Sequence, residues 1–352
     1  MFYMNLYFSE TQGSEQEATA SLKDLLSRMS HPFREGDTVG IKLHWGERGN
    51  HSYLPPVYAR EIVRWLRESG ARPFVFDTTV LYSGGRRSGK DSLDTAAQHG
   101  YTEDFLGCEV VIGDGLEGSD VVDIPCSLKH FRTVQAGAVV NRAEGFVIFS
   151  HFKGHLGAGF GGAIKNISMG FASRAQKQRM HADAYPSLME KRCTRCGICV
   201  DVCPTGAAHI SDGEFPTYDL ERCIGCAQCI GQCPVMALKI FFSGDSSVFQ
   251  EKLVETAAAV WRRIDKKTVL INALVRISAN CDCLPGKAEI ISPDRGFIGG
   301  YHPVTVDRAS LERVGEGLIT RTHPHVPWQR QFTFAREIGF LPSGGGKLIH
   351  HK

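Results

Sequence analysis

Eight of the chain's twelve cysteines fall in two copies of one spacing, and no other feature of its 352 residues restricts the fold so tightly. The first copy is Cys193-x2-Cys196-x2-Cys199-x3-Cys203-Pro204; the second, thirty residues on, is Cys223-x2-Cys226-x2-Cys229-x3-Cys233-Pro234. The offset extends past the cysteines, since GAAHI at 206–210 answers to the VMALKI that ends at 240. A duplicated hairpin, each copy built around a bound group, accounts for this.

Three cysteines spaced two apart on a tight loop can wrap three corners of an iron–sulfur cubane, and the fourth ligand must come from elsewhere. In the run found in bacterial two-cluster ferredoxins, the fourth cysteine ligates the other cluster. The spacing therefore predicts two [4Fe-4S] clusters, one on Cys193, Cys196, Cys199 and Cys233, the other on Cys223, Cys226, Cys229 and Cys203. Pro204 and Pro234 then turn the chain away from each cluster. A Cys-x2-Cys pair also suits zinc, but a tetrahedral zinc site needs four ligands and does not call for an interlaced eight with two Cys-Pro ends.

Forty Lys and Arg against 38 Asp and Glu leave a formal charge of +2, too balanced for nucleic acid to be the main partner. No stretch reaches the roughly 18 apolar residues of a membrane-spanning helix. The opening MFYMNLYFSETQ lacks the basic and apolar regions of a secretory signal. Thiolate-ligated clusters without an export signal point to a reducing cytoplasm. There Cys108, Cys126, Cys281 and Cys283 are expected as thiols.

Around the cysteine block, apolar strands alternate with amphipathic helices. MNLYF (4–8), TVGIKLH (38–44), RPFVFDTT (72–79), EVVIG (109–113), GFVIFSHF (145–152) and TVLINALVRIS (268–278) read as strands. Helices are expected over 15–29, following Pro55-Pro56 and stopping at Gly70, along Phe249, Leu253, Val260 and Ile264, and over 328–340. This order predicts an α/β fold, a mostly parallel sheet with helices on both faces. Residues 188–243 read as an inserted α+β two-cluster ferredoxin-like domain, splitting the α/β domain into 1–187 and 244–352.

The richest polar segment outside the cysteines is SHFKGHLGAGFGGAIKN (150–166), which joins a strand to a helix. It sets His151, Lys153, His155, Lys165 and Asn166 among five glycines, whose exposed N–H groups and following helix N-terminus favour an anion or cofactor. Gly157, Gly159 and Gly162 satisfy G-x-G-x-x-G, yet the position about twenty residues on is Lys177 rather than an acid, which argues against a dinucleotide site. Gly84 to Asp91 imitates a P-loop, but Asp91 replaces the required hydroxyl, leaving Arg86 and Arg87 as candidate anion contacts. Arg174, Lys177 and Arg179 read as a solvated helix face. Lys42, His44 and Glu47 close one strand, and Asp77, ending the next, can face the same crevice. Asn280-Cys281-Asp282-Cys283 offers a ligand, a proton donor or a redox thiol, or simply two buried thiols in a turn.

Taken together, IKLHWGERGN, FDTTVLYSGGRR, SHFKGH with GFGGAIKNISMG, NCDC, HPVTVDRAS and AREIGF resemble the prokaryotic family named domain of unknown function 362, in its version with an inserted ferredoxin. The family often carries Asp-Pro where this chain has His302-Pro303. The resemblance implies an α/β domain bearing two [4Fe-4S] clusters, and identifies GGRRSGKD as the family's glycine-arginine loop. More distantly, GFGGAIKN is similar to the glycine-lysine loop of nickel-pincer lactate racemases.

The expected function is that of an iron–sulfur oxidoreductase. Its clusters would relay single electrons to a small-molecule substrate, or to an organic cofactor such as a flavin, held in the crevice. His155 and Lys153 are the candidate proton donors, with Lys42, His44, His151, Lys165 and Asn166 as cofactor-binding groups. The alternative is a non-enzymatic electron-transfer protein whose α/β domain docks a redox partner protein.

Overall fold

The computed structural model describes residues 5–11, 13–82, 84–181, 184–223, 228–231, 233–235, 237–242, 246–341 and 347–349. Cys226 lies outside them. The first four strands, β1 (Asn5–Glu10), β2 (Thr38–Lys42), β3 (Arg72–Asp77) and β4 (Glu109–Ile112), alternate with helices α1 (Glu15–Arg28), α2 (Pro56–Glu68), α3 (Gly89–Gln98) and α4 (Glu103–Leu106). A side hairpin, β5 (Val121–Pro125) with β6 (Thr133–Gly137), precedes the central strand β7 (Gly145–His151). A small ribbon, β8 (Lys153–His155) with β9 (Gly159–Gly161), leads into α5 (Ala163–Phe171) and α6 (Arg174–His181).

The cysteine-rich insertion is framed by β10 (Ala184–Leu188) and β13 (Leu238–Phe242), which pair antiparallel. Between them run α7 (Ile198–Asp201), β11 (Ala208–His209), β12 (Thr217–Tyr218) and α8 (Gln228–Gly231). The duplication is visible here: α8 begins thirty residues after α7, and β13 thirty after β11. Backbone N–H groups of Ala207 and Ala237 donate to the Cys203 and Cys233 sulfurs at 3.1 and 3.2 Å, again thirty apart. Pairing is nested, because β11 joins β12 between the strands of the β10–β13 pair.

After the insertion come α9 (Ser247–Ile264), β14 (Thr268–Leu274), β15 (Gly296–Gly300), α10 (Pro303–Val314), α11 (Glu316–Thr322), α12 (Arg330–Glu337) and β16 (Lys347–Ile349). The main sheet has the order β16-β1-β15-β14-β7-β2-β3-β4, and β15 alone among these runs antiparallel to its neighbours. Central strands β7 and β14 are buried at every residue, as a sheet covered on both faces requires. Successive side chains face opposite layers. Val147, Phe149, Val269 and Ile271 pack with α1 and α2, while Phe146, Ile148 and Leu270 pack with α5, α9 and α10. The fold is therefore the mostly parallel, doubly covered α/β sheet that the alternation predicts. No helix among the described residues is long and apolar enough to cross a membrane.

Two differences from the pattern have local causes. Strand β14 stops at Leu274 rather than running to 278, because Arg276 turns into the left-handed region at φ 52°. Strand β15, GFIGG, escapes a reading by hydrophobic pattern because its glycines are spacers. A Cβ on Gly296 would sit 1.9 Å from the Ser9 carbonyl oxygen, and one on Gly299 2.2 Å from the Met29 sulfur. Their absence lets β1 and α1 close onto the strand.

Candidate functional site

Strands β2, β3 and β7 run parallel, so Lys42, Asp77 and His151 emerge together at their carboxyl ends. The chain order reverses there, with β3 and β4 on one side of β2 and β7 and β14 on the other. Open α/β sheets bind their ligands at such a point. A cavity of about 200 Å³ occupies it. Lys42, His44, His151, Lys153, His155, Lys165 and Asn166 all line this cavity, although the sequence spreads them over 125 positions.

Their chemistry divides them. Lys42 donates to Asp77 at 2.9 Å, to the Leu43 carbonyl at 2.7 Å and to the Asn166 amide oxygen at 2.9 Å. Asn166 then donates to the Phe149 carbonyl and Ser150 hydroxyl, both at 3.1 Å, so its amide clamps α5 to the end of β7. Gly170 makes room for this clamp, since a Cβ there would meet Lys42 Cε at 2.5 Å. Burial pushes Asp77 up, but Lys42, His44 and Arg86 together hold it well below the usual carboxylate range. Burial also lowers Lys42 against the pull of Asp77.

His151 places Nδ1 2.8 Å from Asp282 and Nε2 2.9 Å from the Val275 carbonyl, so neither nitrogen is left for a ligand. Lys153 pairs with the same Asp282 oxygen at 2.7 Å. Asp282 is fully buried; the Lys153 ammonium and the hydrogen bond from His151 keep it ionised against the cost of burial. His155 accepts at Nδ1 from the N–H groups of Gly157 and Ala158, at 3.1 and 2.9 Å. That fixes the neutral tautomer with its proton on Nε2, and burial together with Lys165 lowers its pKa far below the ordinary value. The residue offers a hydrogen bond rather than the readily released proton expected of it.

The glycine loop is also not an open anion cradle. Asp307 of α10 accepts from the N–H groups of Ala163 and Ile164 at 2.6 and 2.9 Å, capping α5 from outside. Gly162 must lack a Cβ because one would lie 2.3 Å from the Asp307 carboxylate. The loop itself is pinned by buried glutamines, Gln250 donating to the Gly157 carbonyl and Gln331 to that of Ala158. His302 occupies the N-cap of α10, where its Nδ1 accepts from Val304 N–H at 3.3 Å, the role Asp plays before proline.

Two residues differ in role from their sequence reading. Arg86 is buried against Glu47 at 3.3 Å, Asp77 at 3.1 Å and the Tyr82 hydroxyl, so its charge is spent inside the protein; Arg87 is exposed. Lys177 is not a solvated helix residue, since its ammonium reaches the cavity wall and donates to Thr78 Oγ1 at 2.8 Å and to the Thr79 carbonyl. Only the fold reveals this, because α6 lies across the cavity.

Lys165 and Lys177 have no carboxylate partner among the described residues. Burial pulls Lys165 down to about 7, with Lys153 adding repulsion, and Lys177 down to about 8. His181 also lines the cavity, and burial lowers it to about 4.

Cys281 and Cys283 are joined as a disulfide in the cavity wall, contrary to the expectation of free thiols. With Asp282 turned inward to His151 and Lys153, its two neighbours share one side of the turn, their Cα atoms 5.1 Å apart. Ile230 of α8, next to Cys229, contributes to the same wall, so the cysteine-rich insertion borders the cavity directly. A second, smaller cavity within the insertion is lined by Cys193, Cys196, Cys199 and Cys233 together.

No curated protein matches the sequence. Among solved structures, the crystal structure of a Thermotoga maritima protein from a structural genomics consortium is similar with a TM-score of 0.48 at 10% identity. The match covers 89% of this chain and 60% of that one. The lactate racemase apoprotein from Thermoanaerobacterium thermosaccharolyticum matches with a TM-score of 0.36 at 13% identity, over 78% of this chain and 51% of that one. This chain thus spans about half to three fifths of the length of those two proteins. A family model described as domain of unknown function (DUF362) matches residues 39–312, and the chain belongs to that family.

Proposed function

We propose that the protein is an iron–sulfur oxidoreductase that reduces a small anionic molecule held at the carboxyl ends of β2, β3 and β7. The observation carrying this reading is the shared wall. Ile230, adjacent to a predicted cluster ligand, and the polar residues of the sheet end face one cavity. On this reading residues 188–243 form a two-cluster ferredoxin-like domain inserted between 1–187 and 244–352, in a protein that works in a reducing cytoplasm.

The residues present suit clusters. Cys193, Cys196, Cys199 and Cys233 surround one small cavity, as the interlaced assignment requires. Backbone N–H groups donate to the Cys193, Cys203 and Cys233 sulfurs, which favours thiolates. Cys203 is lowered by such bonds in spite of burial. When bound, the clusters would supply electrons one at a time. Cys196 is exposed, which gives a redox partner protein a place to deliver them.

Within the cavity, Lys165 and Lys177 would hold an anion, and the His155 Nε2–H would orient it. A proton must accompany the electrons, and Lys165, held near 7, is better suited to give it than His155 or the ion-paired Lys153. Drug-sized sites measure about 300–1,000 Å³, so a metabolite suits this smaller cavity better than a flavin. Mass spectrometry of small molecules released by denaturing anaerobically purified protein tests the reading. A stoichiometric anionic compound supports it; an empty extract from protein holding both clusters favours a simple electron carrier.

A further inference from the structure

Cysteines outside the predicted cluster ligands fall into two kinds. Cys108 is buried beside β4 and pushed up to about 11 by burial, and Cys126 is likewise raised; both are inert packing thiols. Cys281 and Cys283 differ in every respect. They are joined to each other, they line the cavity, and polar groups surround their sulfurs. Lys165 Nζ lies 3.7 Å from the Cys281 sulfur, which also accepts from the Cys283 N–H at 3.3 Å. One ring nitrogen of His44 lies within 4.8 Å of both sulfurs. His44 is itself held by Asp77 through Nδ1, and its buried Nε2 has no hydrogen-bond partner. An ammonium and a backbone N–H directed at one sulfur are the surroundings that stabilise a thiolate.

We propose that Cys281 and Cys283 are a dithiol–disulfide couple forming the two-electron redox centre of the cavity, with Cys281 as its reactive sulfur. The inference rests on the reading above for its electron source, a one-electron donor of the iron–sulfur class. Opening the bond takes two electrons and two protons. The S–S bond breaks, each sulfur gains one electron and one proton, and two thiols result. Lys165 is placed to supply the proton at Cys281, solvent the other. Two one-electron centres match this demand, and the couple would then pass a pair of electrons to a two-electron, two-proton acceptor. Isolated one-electron transfers to the substrate would be avoided.

The test is an anaerobic reductive titration of the holoprotein with dithionite, following cluster absorbance, with parallel samples denatured in N-ethylmaleimide for peptide mass spectrometry. Wild type should take up about four electrons per chain, two in the clusters and two in the disulfide, and Cys281→Ser about two at unchanged iron content. The peptide spanning Cys281 and Cys283 should carry no label when oxidised and two labels when reduced, with Cys108 labelled throughout. Should Cys281→Ser fail to fold, Cys283→Ala makes the same comparison. Two labels in the oxidised sample, or a pair still unlabelled after the clusters have bleached, overturns the couple while leaving the oxidoreductase reading intact. Protein without iron removes that reading instead, and dithiothreitol in place of dithionite then decides whether the pair opens at all.

Discussion

The cysteine-rich insertion and the sheet-end cavity make opposite demands on a sequence. The insertion repeats a short motif every thirty residues, its helical turns α7 and α8 recur at the same interval, and its candidate ligands lie within 41 positions. The cavity draws Lys42, Asp77, Lys165, Lys177 and Cys281 from separate strand ends, helices and a turn. One is chemistry written locally, where loop geometry alone brings sulfurs together. The other is assembled by β2, β3 and β7 running in parallel, and exists only after the sheet has formed. On the proposed iron–sulfur reading the insertion is therefore expected to fail by losing its clusters, and the cavity by losing its buried charge balance.

Several measurements would sharpen or break this contrast. Cys199→Ser should cost one whole cluster, about four of eight irons, while the unfolding transition of the α/β domain stays in place. A loss of sheet stability in step with the iron would show the two regions to be one cooperative unit. Next in size, Lys165→Met should lower turnover by about 10²- to 10⁴-fold, the usual worth of a positioned acid. As a donor, Lys165 acts in its protonated form, so wild-type turnover should decline as pH rises through about 7. The variant's pH profile should lose that limb, and a limb that persists would assign the proton elsewhere.

Asp282→Ala should destabilise the protein by about 3–5 kcal/mol in denaturant titration, because the Lys153 ammonium stays buried without its counter-charge and His151 loses its hydrogen-bond partner. Iron content should not change. The native carboxylate is held below its ordinary pKa, so its contribution is present above that value and is lost as pH falls towards acid. The smallest effect expected is at the cap: Asp307→Ala should cost about 1–2 kcal/mol by freeing the first N–H groups of α5, with cluster content unaffected.

Much of the fold is legible in the sequence because it follows from periodicity. The runs at 38–44, 72–79 and 145–152 are strands to within two residues, and Pro56 opens α2 at the first helical position. Glycine-rich β15 was not legible, since what its residues specify is how closely β1, α1 and α10 approach. Within the cavity, residue types at strand ends identified its lining, yet not their states. Nothing in SHFKGH says that His151 has both nitrogens engaged, that His155 is locked as a neutral donor, or that Lys177 turns inward from a basic helix.

Spacing by itself determined the thirty-residue cysteine repeat and the parallel α/β order, because both depend on neighbours along the chain: cysteines set two residues apart, and side chains repeating every two or 3.6. Tertiary structure alone decided which charges are spent and which remain available. Arg86 meets Glu47 and Asp77, and Lys153 meets Asp282, while Lys165 and Lys177 meet no carboxylate among the described residues. The physical reason is that a buried charge takes its state from whatever stands within a few ångströms, and here those partners come from distant parts of the chain.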